Sequence, residues 1–514
     1  MDDIKKQDLT SSKDSNSNNQ EKAVSYTKDR IVTTIVLMLY MCASMPSFPL
    51  FTQYIHSRYE DFYRNVTNSS STSPGTHSPC VHNTSEEADK MQVYIQRSTS
   101  YEVLKLSLSV QVPSTIVNIV VGSYSDHIGR KMLFISPLLG CICRYAVFML
   151  VVKFHLNLNF IILGTLLDGF SGSASTFILA NMAYAADVTK THATRTFAIV
   201  IADCSVSIAI AIGQLMTGFL IQRLGYFCPS VINTTLILLA TVIVTYGLTE
   251  TVKKKEVKEF SPVVHLKKVF GFYFNKSNGN TRCIFITSVI VFALIHIVNI
   301  GLTSIETLYQ LGRPFCWDPE EIGYYGAYST VFMAISGLIA IKLGSKCMRV
   351  EILAVTGMFL QMGSLILEGL ASTDTMLYSV PFVSSISGVS VPVIRSVMSH
   401  MVDSQEQGAI FSSMAAVDTL SGAIGSATFT FLYSATVDTM RGMAFLVMAA
   451  IMLMAAVIMT VVIVWSPKQP EYVLIVSQRQ DEEPTGAGCS KRTKLLGGPL
   501  QKTYLTMKKP PAVV

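Results

Sequence analysis

Charge is what this 514-residue chain has least of: Asp, Glu, Lys and Arg make up 14% of it, against about a quarter in an ordinary soluble domain. Tryptophan occurs twice, and the ten cysteines are scattered along the whole length, too sparse for a disulfide-stapled secreted scaffold. No Walker, zinc-protease or nucleophile-elbow pattern stands in a context that would support it. An enzyme or an ATP-driven pump is therefore not the expectation, and neither a cofactor nor a metal is expected. Residues 1–28 are polar and rich in Ser, Asn, Lys and Asp. They hold no apolar core of a cleavable leader and read as a disordered cytosolic tail. What the chain does have is apolar residues: 50% are hydrophobic, with a mean hydropathy of +0.43. One packed core rarely grows past about 250–300 residues, so the length calls for two units and the hydropathy for a bilayer around them. The net charge of +6 sits in short clusters between apolar stretches, a membrane-topology pattern and not a nucleic-acid surface.

A membrane-crossing helix needs about 20 residues to span the hydrocarbon core. The stretches that meet this are 30–52, 100–123, 132–153, 158–184, 195–221, 228–249, 283–309, 320–343, 350–371, 376–400, 407–434 and 440–465. The fold class expected is all-α and polytopic, about twelve transmembrane helices in two six-helix bundles. An even count puts both termini on one side. Lys and Arg gather on that side at Arg130/Lys131, Lys190/Arg195, Lys253 to Lys258, Lys342/Lys346/Arg349 and Lys491 to Lys494, which makes it cytoplasmic. The loop 53–99 then faces outward, where its sequons at Asn65, Asn68 and Asn83 can be glycosylated. Sequons at Asn233 and Asn275 fall in or beside a helix and in a cytoplasmic loop, and are discounted.

The basic stretch 251–282 divides the spans six and six, as a cytosolic linker between an N-terminal bundle, 29–250, and a C-terminal one, 283–466, followed by a cytosolic tail, 467–514. Gly122, Gly129 and Lys131 recur as Gly337, Gly344 and Lys346 at a constant offset of 215, and Asp187 recurs as Asp403 one residue out of step. Such echoes suit a duplication, and two related halves around a midplane site are common among secondary transporters.

The sharpest motif is Gly122-Ser-Tyr-Ser-Asp126-His-Ile-Gly129-Arg130-Lys131, between spans two and three. Gly122 permits close helix approach, Gly129 a tight turn, and Asp126 can pair with Arg130 or a neighbouring helix end when the cytoplasmic side closes. This gate-like pattern resembles the signature of the major facilitator superfamily. Ala186-Asp187-Val188, Thr194-Arg195-Thr196-Phe197, Arg313-Pro-Phe-Cys316-Trp317-Asp318, Pro392-Val-Ile-Arg395 and Glu406-Gln407-Gly408-Ala409 are similar to the solute carriers related to the proton-coupled folate transporter. The resemblance covers roughly residues 100–465. It implies a proton-driven symporter of folate-like organic anions, or a paralogue with another anionic substrate.

Arg395 lies inside the tenth span, one turn after Pro392. An intramembrane Arg is costly unless it faces a cavity or a partner, and a guanidinium in a wet cavity suits a carboxylate or phosphate. The alternative is a helix-to-helix tie to Asp418. The resemblance assigns this Arg to substrate binding and proton coupling. Asp203, mid-span in the fifth helix, must be neutral or paired, a condition suited to proton exchange. It stands where the family has a coupling glutamate, one methylene longer. His296, in the seventh span, is a candidate proton sensor because histidine is the side chain that changes charge most readily near neutral pH; the family's His position falls on Asn299, one turn later on the same side. Asp168 in the fourth span lines the cavity for substrate or serves packing, and Glu306, Glu368 and Asp418 are weaker candidates.

Cys80 and Cys316 are on the expected outer side, and the resemblance implies a disulfide between them, with Cys228 as another option. Tyr472-Val-Leu-Ile475 and Tyr504-Leu-Thr-Met507 have the Tyr-x-x-apolar form read by sorting adaptors. The expected partners are a small anionic solute, protons and the lipid bilayer, with no nucleic acid. The plasma membrane is the first expectation for location, with endosome or lysosome as the alternative. Alternatives for function are a lysosomal carrier of another anion, such as a peptidoglycan fragment or nucleotide, and a transport-dead receptor or scaffold.

Overall fold

The computed structural model describes residues 28–67, 86–188, 192–250, 279–347, 349–400 and 407–465, and all but short turns of them are helical. In the first half, α1 covers 28–44, then α2 Ser47–Thr67, α3 Glu86–Ile128, α4 Arg130–Phe154, α5 Asn159–Phe170, α6 Ser173–Val188, α7 His192–Leu224 and α8 Phe227–Gly247. In the second half, α9 is Gly279–Leu311, α10 Pro319–Cys347, α11 Val350–Gly369, α12 Asp374–Val383, α13 Ser390–His400, α14 Gln407–Thr436 and α15 Met443–Trp465.

Ten helical stretches are long and apolar enough to cross a membrane, and eleven if the bent pair α12 and α13 counts as one. Helix α14 packs along α3 and α9 and supplies the twelfth crossing by position. Its polarity, with Asp418 among Ser, Thr and Gly, keeps it out of a count based on hydropathy. The outer surface carries the lipid-facing residues: Leu453, Val457, Val461 and Val464 repeat along one face of α15 and are exposed, a pattern only a hydrocarbon solvent makes favourable.

Two corrections to the expected spans have physical causes. The first long loop, expected at 53–99, is shorter, because α2 runs on to Thr67 and α3 begins at Glu86. These projecting turns are polar on one side, with Arg58, Glu60 and Arg64 on α2, so hydropathy stops short of the helix end. The fourth and tenth spans are broken. Gly172 (φ +92°) and Ser173 (φ +54°) adopt left-handed conformations between α5 and α6, a region glycine enters at little cost. Residues Ser387–Val389 form one 3₁₀ turn before α13, and α12 and α13 meet at a bend of 41°.

Buried apolar side chains gather in two large clusters. One draws only on residues 36–248, around Phe134, Tyr145, Phe148 and Phe177, and the other on 285–459, around Phe292, Phe429, Phe445 and Met448. The halves meet where α3 packs on α14, α7 on α10 and α2 on α9. At the end where α3 begins, Arg97 Nε donates to the Ser434 carbonyl (3.2 Å), Tyr433 Oη to Gln96 Oε1 (3.3 Å), and Asp89 holds both Arg313 (3.5 Å) and Arg441 (3.3 Å).

Candidate functional site: polar clusters inside the helical halves

The signature loop reaches α4 through Gly129, whose φ of +98° an L side chain would strain. Immediately beyond it, the backbone N–H groups of Arg130 and Lys131 donate to Oε1 and Oε2 of Glu250 at 2.8 and 3.2 Å. A carboxylate on the first free N–H groups of a helix satisfies donors with no intrahelical acceptor and faces the positive end of the dipole. Lys131 Nζ also donates to the Thr245 carbonyl, so the start of α4 is tied to the end of α8. Thr249 Oγ1 in turn donates to Asp29 Oδ2 (2.7 Å) and Tyr184 Oη to the Thr249 carbonyl (3.2 Å). Sequence reasoning missed Glu250; its signal was an acid between α8 and the lysine run. Gly122 and Asp126 lie in the last turns of α3, and the Asp126 side chain is outside the described residues.

In the first half, Asp168 on α5 accepts from Arg144 Nη1 on α4 at 2.9 Å, with side-chain exposures of 1% and 6%. Arg144 stands over the rings of Phe51 and Tyr145 at 5.9 and 5.4 Å, and Ser173 Oγ adds a contact of 3.4 Å to the same carboxylate oxygen. Asp168, read from the sequence as either lining the cavity or serving packing, is held in an ion pair within its own half. Arg144 was not singled out, although a guanidinium inside a membrane span is itself the signal.

The second half is arranged differently. His296 Nδ1 on α9 is paired with Asp418 Oδ1 on α14. His296 Nε2 is buried with no hydrogen-bond partner among the described residues. The Phe292 ring lies 4.3 Å from the His296 ring, and the Arg395 guanidinium sits over Phe292 at 5.4 Å. Among the described residues Arg395 forms no hydrogen bond or ion pair, though it is close enough to Asp418 to act on it electrostatically. Across the interface, Ser175 Oγ on α6 donates to Asp418 Oδ2 at 3.4 Å. The structure therefore gathers Arg395 and His296 into one cluster, with Asp418 as the shared acid.

Beside this cluster, α9 to α13 and α15 enclose a cavity of about 230 Å³, whose lining includes Asn299, Thr303, Glu306, Gln361, Glu368 and Ser387. Glu368 Oε1 and Ser387 Oγ are buried without a partner among the described residues. A second cavity, about 160 Å³, lies between the halves near Gln53, His56 and Trp317. Cys316 borders it and is disulfide-bonded. Cys80, Asn68, Asn83, Tyr472 and Tyr504 lie outside the described residues, while Cys228 is free. Asn65 and Asp203 fall within α2 and α7, but their side chains are outside the described residues.

Two helical halves that each bury ionisable groups at membrane depth, with cavities and no catalytic constellation among the described residues, define a polytopic membrane carrier. The family description Major Facilitator Superfamily matches residues 33–312, more than half of the chain. The chain belongs to the Major Facilitator Superfamily. It is 28% identical over 424 residues to the chicken (Gallus gallus) lysosomal proton-coupled steroid conjugate and bile acid symporter, covering 81% of this chain and 90% of that one. The human (Homo sapiens) protein of the same name is 29% identical, covering 85% and 95%. The rat (Rattus norvegicus) proton-coupled folate transporter is 26% identical, covering 75% and 84%. These relatives are membrane transporters and not enzymes, and so is this chain. Among solved structures, the human organic anion transporter MFSD10 superposes with a TM-score of 0.60 at 14% identity, covering 84% of this chain and 99% of that one. The nucleoside transporter NupG does so at 0.56 and 11% identity, covering 84% and 99%; both likenesses concern the fold.

Proposed function

We propose that this transporter is a proton-coupled symporter of organic anions, with Arg395 holding the anionic group and the His296–Asp418 pair taking the coupling proton. One observation carries the reading: the Arg395 guanidinium rests on Phe292 with no ion pair among the described residues, one ring away from a histidine–carboxylate pair. A guanidinium on an aromatic platform keeps its N–H donors for a carboxylate, sulfate or phosphate, and a proton on His296 lets a second charge change accompany the anion. The halves 29–250 and 283–466 rock about this site, and Asp203 contributes to coupling from the first half. The loop Gly122, Asp126, Gly129, Arg130 and Lys131 closes the cytoplasmic side, to which both termini belong. A Cys80–Cys316 disulfide and glycans on Asn65, Asn68 and Asn83 lie on the outer side. The solute is a folate-like anion, a steroid conjugate or a bile acid. The curated symporters most like this chain are lysosomal by name, and that membrane is a second setting. Protons leaving the acidic lumen would then carry the anion into the cytosol, with adaptors reading Tyr472 or Tyr504.

The test is uptake of labelled folate, taurocholate and estrone sulfate by cells with the protein at their surface. It is run at external pH about 5.5 and about 7.4, on either side of an ordinary histidine value, with and without a protonophore. Saturable uptake that rises at acid pH and collapses with the protonophore is expected. Uptake indifferent to both would rule out symport.

A further inference from the structure

Two acids of the second half that the binding cluster does not use, Glu306 and Glu368, lie together in the 230 Å³ cavity. No lining residue carries a positive charge, so nothing in the wall neutralises them. Glu368 is 2% exposed with Oε1 unpartnered, and Ser387, 9% exposed, also lines the cavity with an unpartnered hydroxyl. Two carboxyls, an unpartnered hydroxyl, the side-chain amides of Asn299 and Gln361 and enough volume for several waters make a polar, hydratable chamber.

Its position relative to His296 matters more. Residues 296, 299, 303 and 306 fall within about 80° of one another around α9, as positions three, four and three apart must. They rise about 15 Å along the helix at 1.5 Å per residue. Asn299, Thr303 and Glu306 all line the cavity. His296 begins the same stripe, with Nδ1 turned to Asp418 and Nε2 unpartnered. Glu306 lies five residues before the end of α9, and Glu368 is the penultimate residue of α11, so the carboxyls mark the outer end in the orientation proposed above.

We propose that this cavity is a proton-access site: Glu306 and Glu368 take up protons at its outer end and pass them through hydrogen-bonded water, past Thr303 and Asn299, to Nε2 of His296. This rests on the symport reading and adds a route for the proton separate from the anion's path between the halves. Each transfer returns the carboxyl to carboxylate and leaves an imidazolium against Asp418, so charge and atoms balance with no other reactant. The ionisable neighbours of the route are Tyr309 on α9, Tyr325 on α10, Arg395 on α13 and Asp418 on α14. Tyr309 Oη donates to the Glu368 carbonyl at 2.9 Å. From α12 and α15 the wall receives only uncharged residues, among them Val380, Ser384 and Met452.

The test uses the full chain in proteoliposomes, with labelled estrone sulfate and taurocholate as probes and three readouts. These are accumulation driven by a pH gradient, exchange at equal pH, and the infrared band of protonated carboxyl groups in acid-minus-neutral difference spectra. For Glu306→Gln with Glu368→Gln, gradient-driven accumulation is expected to fall about ten-fold or more, within the range of typical coupling free energies. Exchange should persist and the carboxyl band should shrink. Asn299→Leu with Thr303→Val should slow accumulation while leaving the band in place. Gln variants that accumulate like the wild type, an unchanged band, or equal loss of exchange and accumulation in a folded carrier would each overturn the proposal. A wild type that exchanges but never accumulates would instead sink the symport reading, and the relay with it.

Discussion

In the first half a buried guanidinium is met: Arg144 and Asp168 stand 2.9 Å apart and are almost inaccessible. In the second half Arg395 lies on a phenyl ring, and the nearby acid, Asp418, has taken His296. Two charged clusters at membrane depth thus do different work. The first closes its charges on each other, leaving only Arg144 Nε and Asp168 Oδ1 without a partner among the described residues, and its value is the joining of α4 to α5 just before the break at Gly172. The second leaves the whole Arg395 guanidinium without an ion pair and His296 Nε2 without a partner among the described residues. The contrast extends to the broken spans. The break after α5 is two successive left-handed residues, Gly172 and Ser173, sealed by Ser171 and Ser173 contacts to Asp168, while the bend between α12 and α13 opens onto the carboxyl-lined cavity through Ser384 and Ser387.

The comparison breaks most visibly at Arg144. Arg144→Ala or Asp168→Ala leaves a lone charge in the apolar core and is expected to destabilise the fold by about 3–5 kcal/mol, read as lost surface protein and a lower Tm in detergent. Arg144→Met with Asp168→Leu should recover most of that loss, since removing both charges together removes the unpaired one; a double variant as unstable as either single one would show that the pair itself does more than hold helices. Arg395→Ala should behave in the opposite way. Its Tm should stay near wild type while apparent affinity for the anion falls about ten- to a hundred-fold, the worth of hydrogen bonds to a charged group. Loss of folding in that variant would make Arg395 a second structural tie.

A smaller effect is expected at His296→Gln. On the proposed symport, uptake by the wild type is expected to rise as outer pH falls. The amide cannot be loaded, and the acid-to-neutral uptake ratio should drop several-fold toward one, within the usual range of coupling energies. The smallest change should come from Glu250→Gln, whose one amide oxygen can still accept from the N–H of Arg130 or of Lys131 but not from both, and which removes the charge at the helix dipole. About 0.3–1 kcal/mol is expected, visible as a small fall in Tm.

Helix positions were largely legible, because long apolar runs have one stable arrangement in lipid: the stretch read as 132–153 is α4, Arg130–Phe154. The breaks in the fourth and tenth spans were not, since Gly172 and the serines around 384–390 barely alter hydropathy yet decide the backbone. Site residues were legible one at a time and not as partners. Arg395, His296 and Asp168 stood out as costly groups, but the pairing of Asp168 with Arg144, and of Asp418 with His296 in preference to Arg395, depends on helix rotation about axes that periodicity leaves open. Glu306 and Glu368, 62 residues apart, looked like helix-end acids until packing placed them in one chamber.

The contact from Ser175 to Asp418 has a consequence for bookkeeping of the gradient. It joins α6 of one half to the acid that holds His296 in the other, so on the proposed cycle the halves cannot part without giving it up. A carrier that reoriented with its proton but without solute would dissipate the gradient as slippage. On that cycle the contact has to break in the loaded carrier and again in the empty one that returns, so its strength adds to the barrier of both crossings.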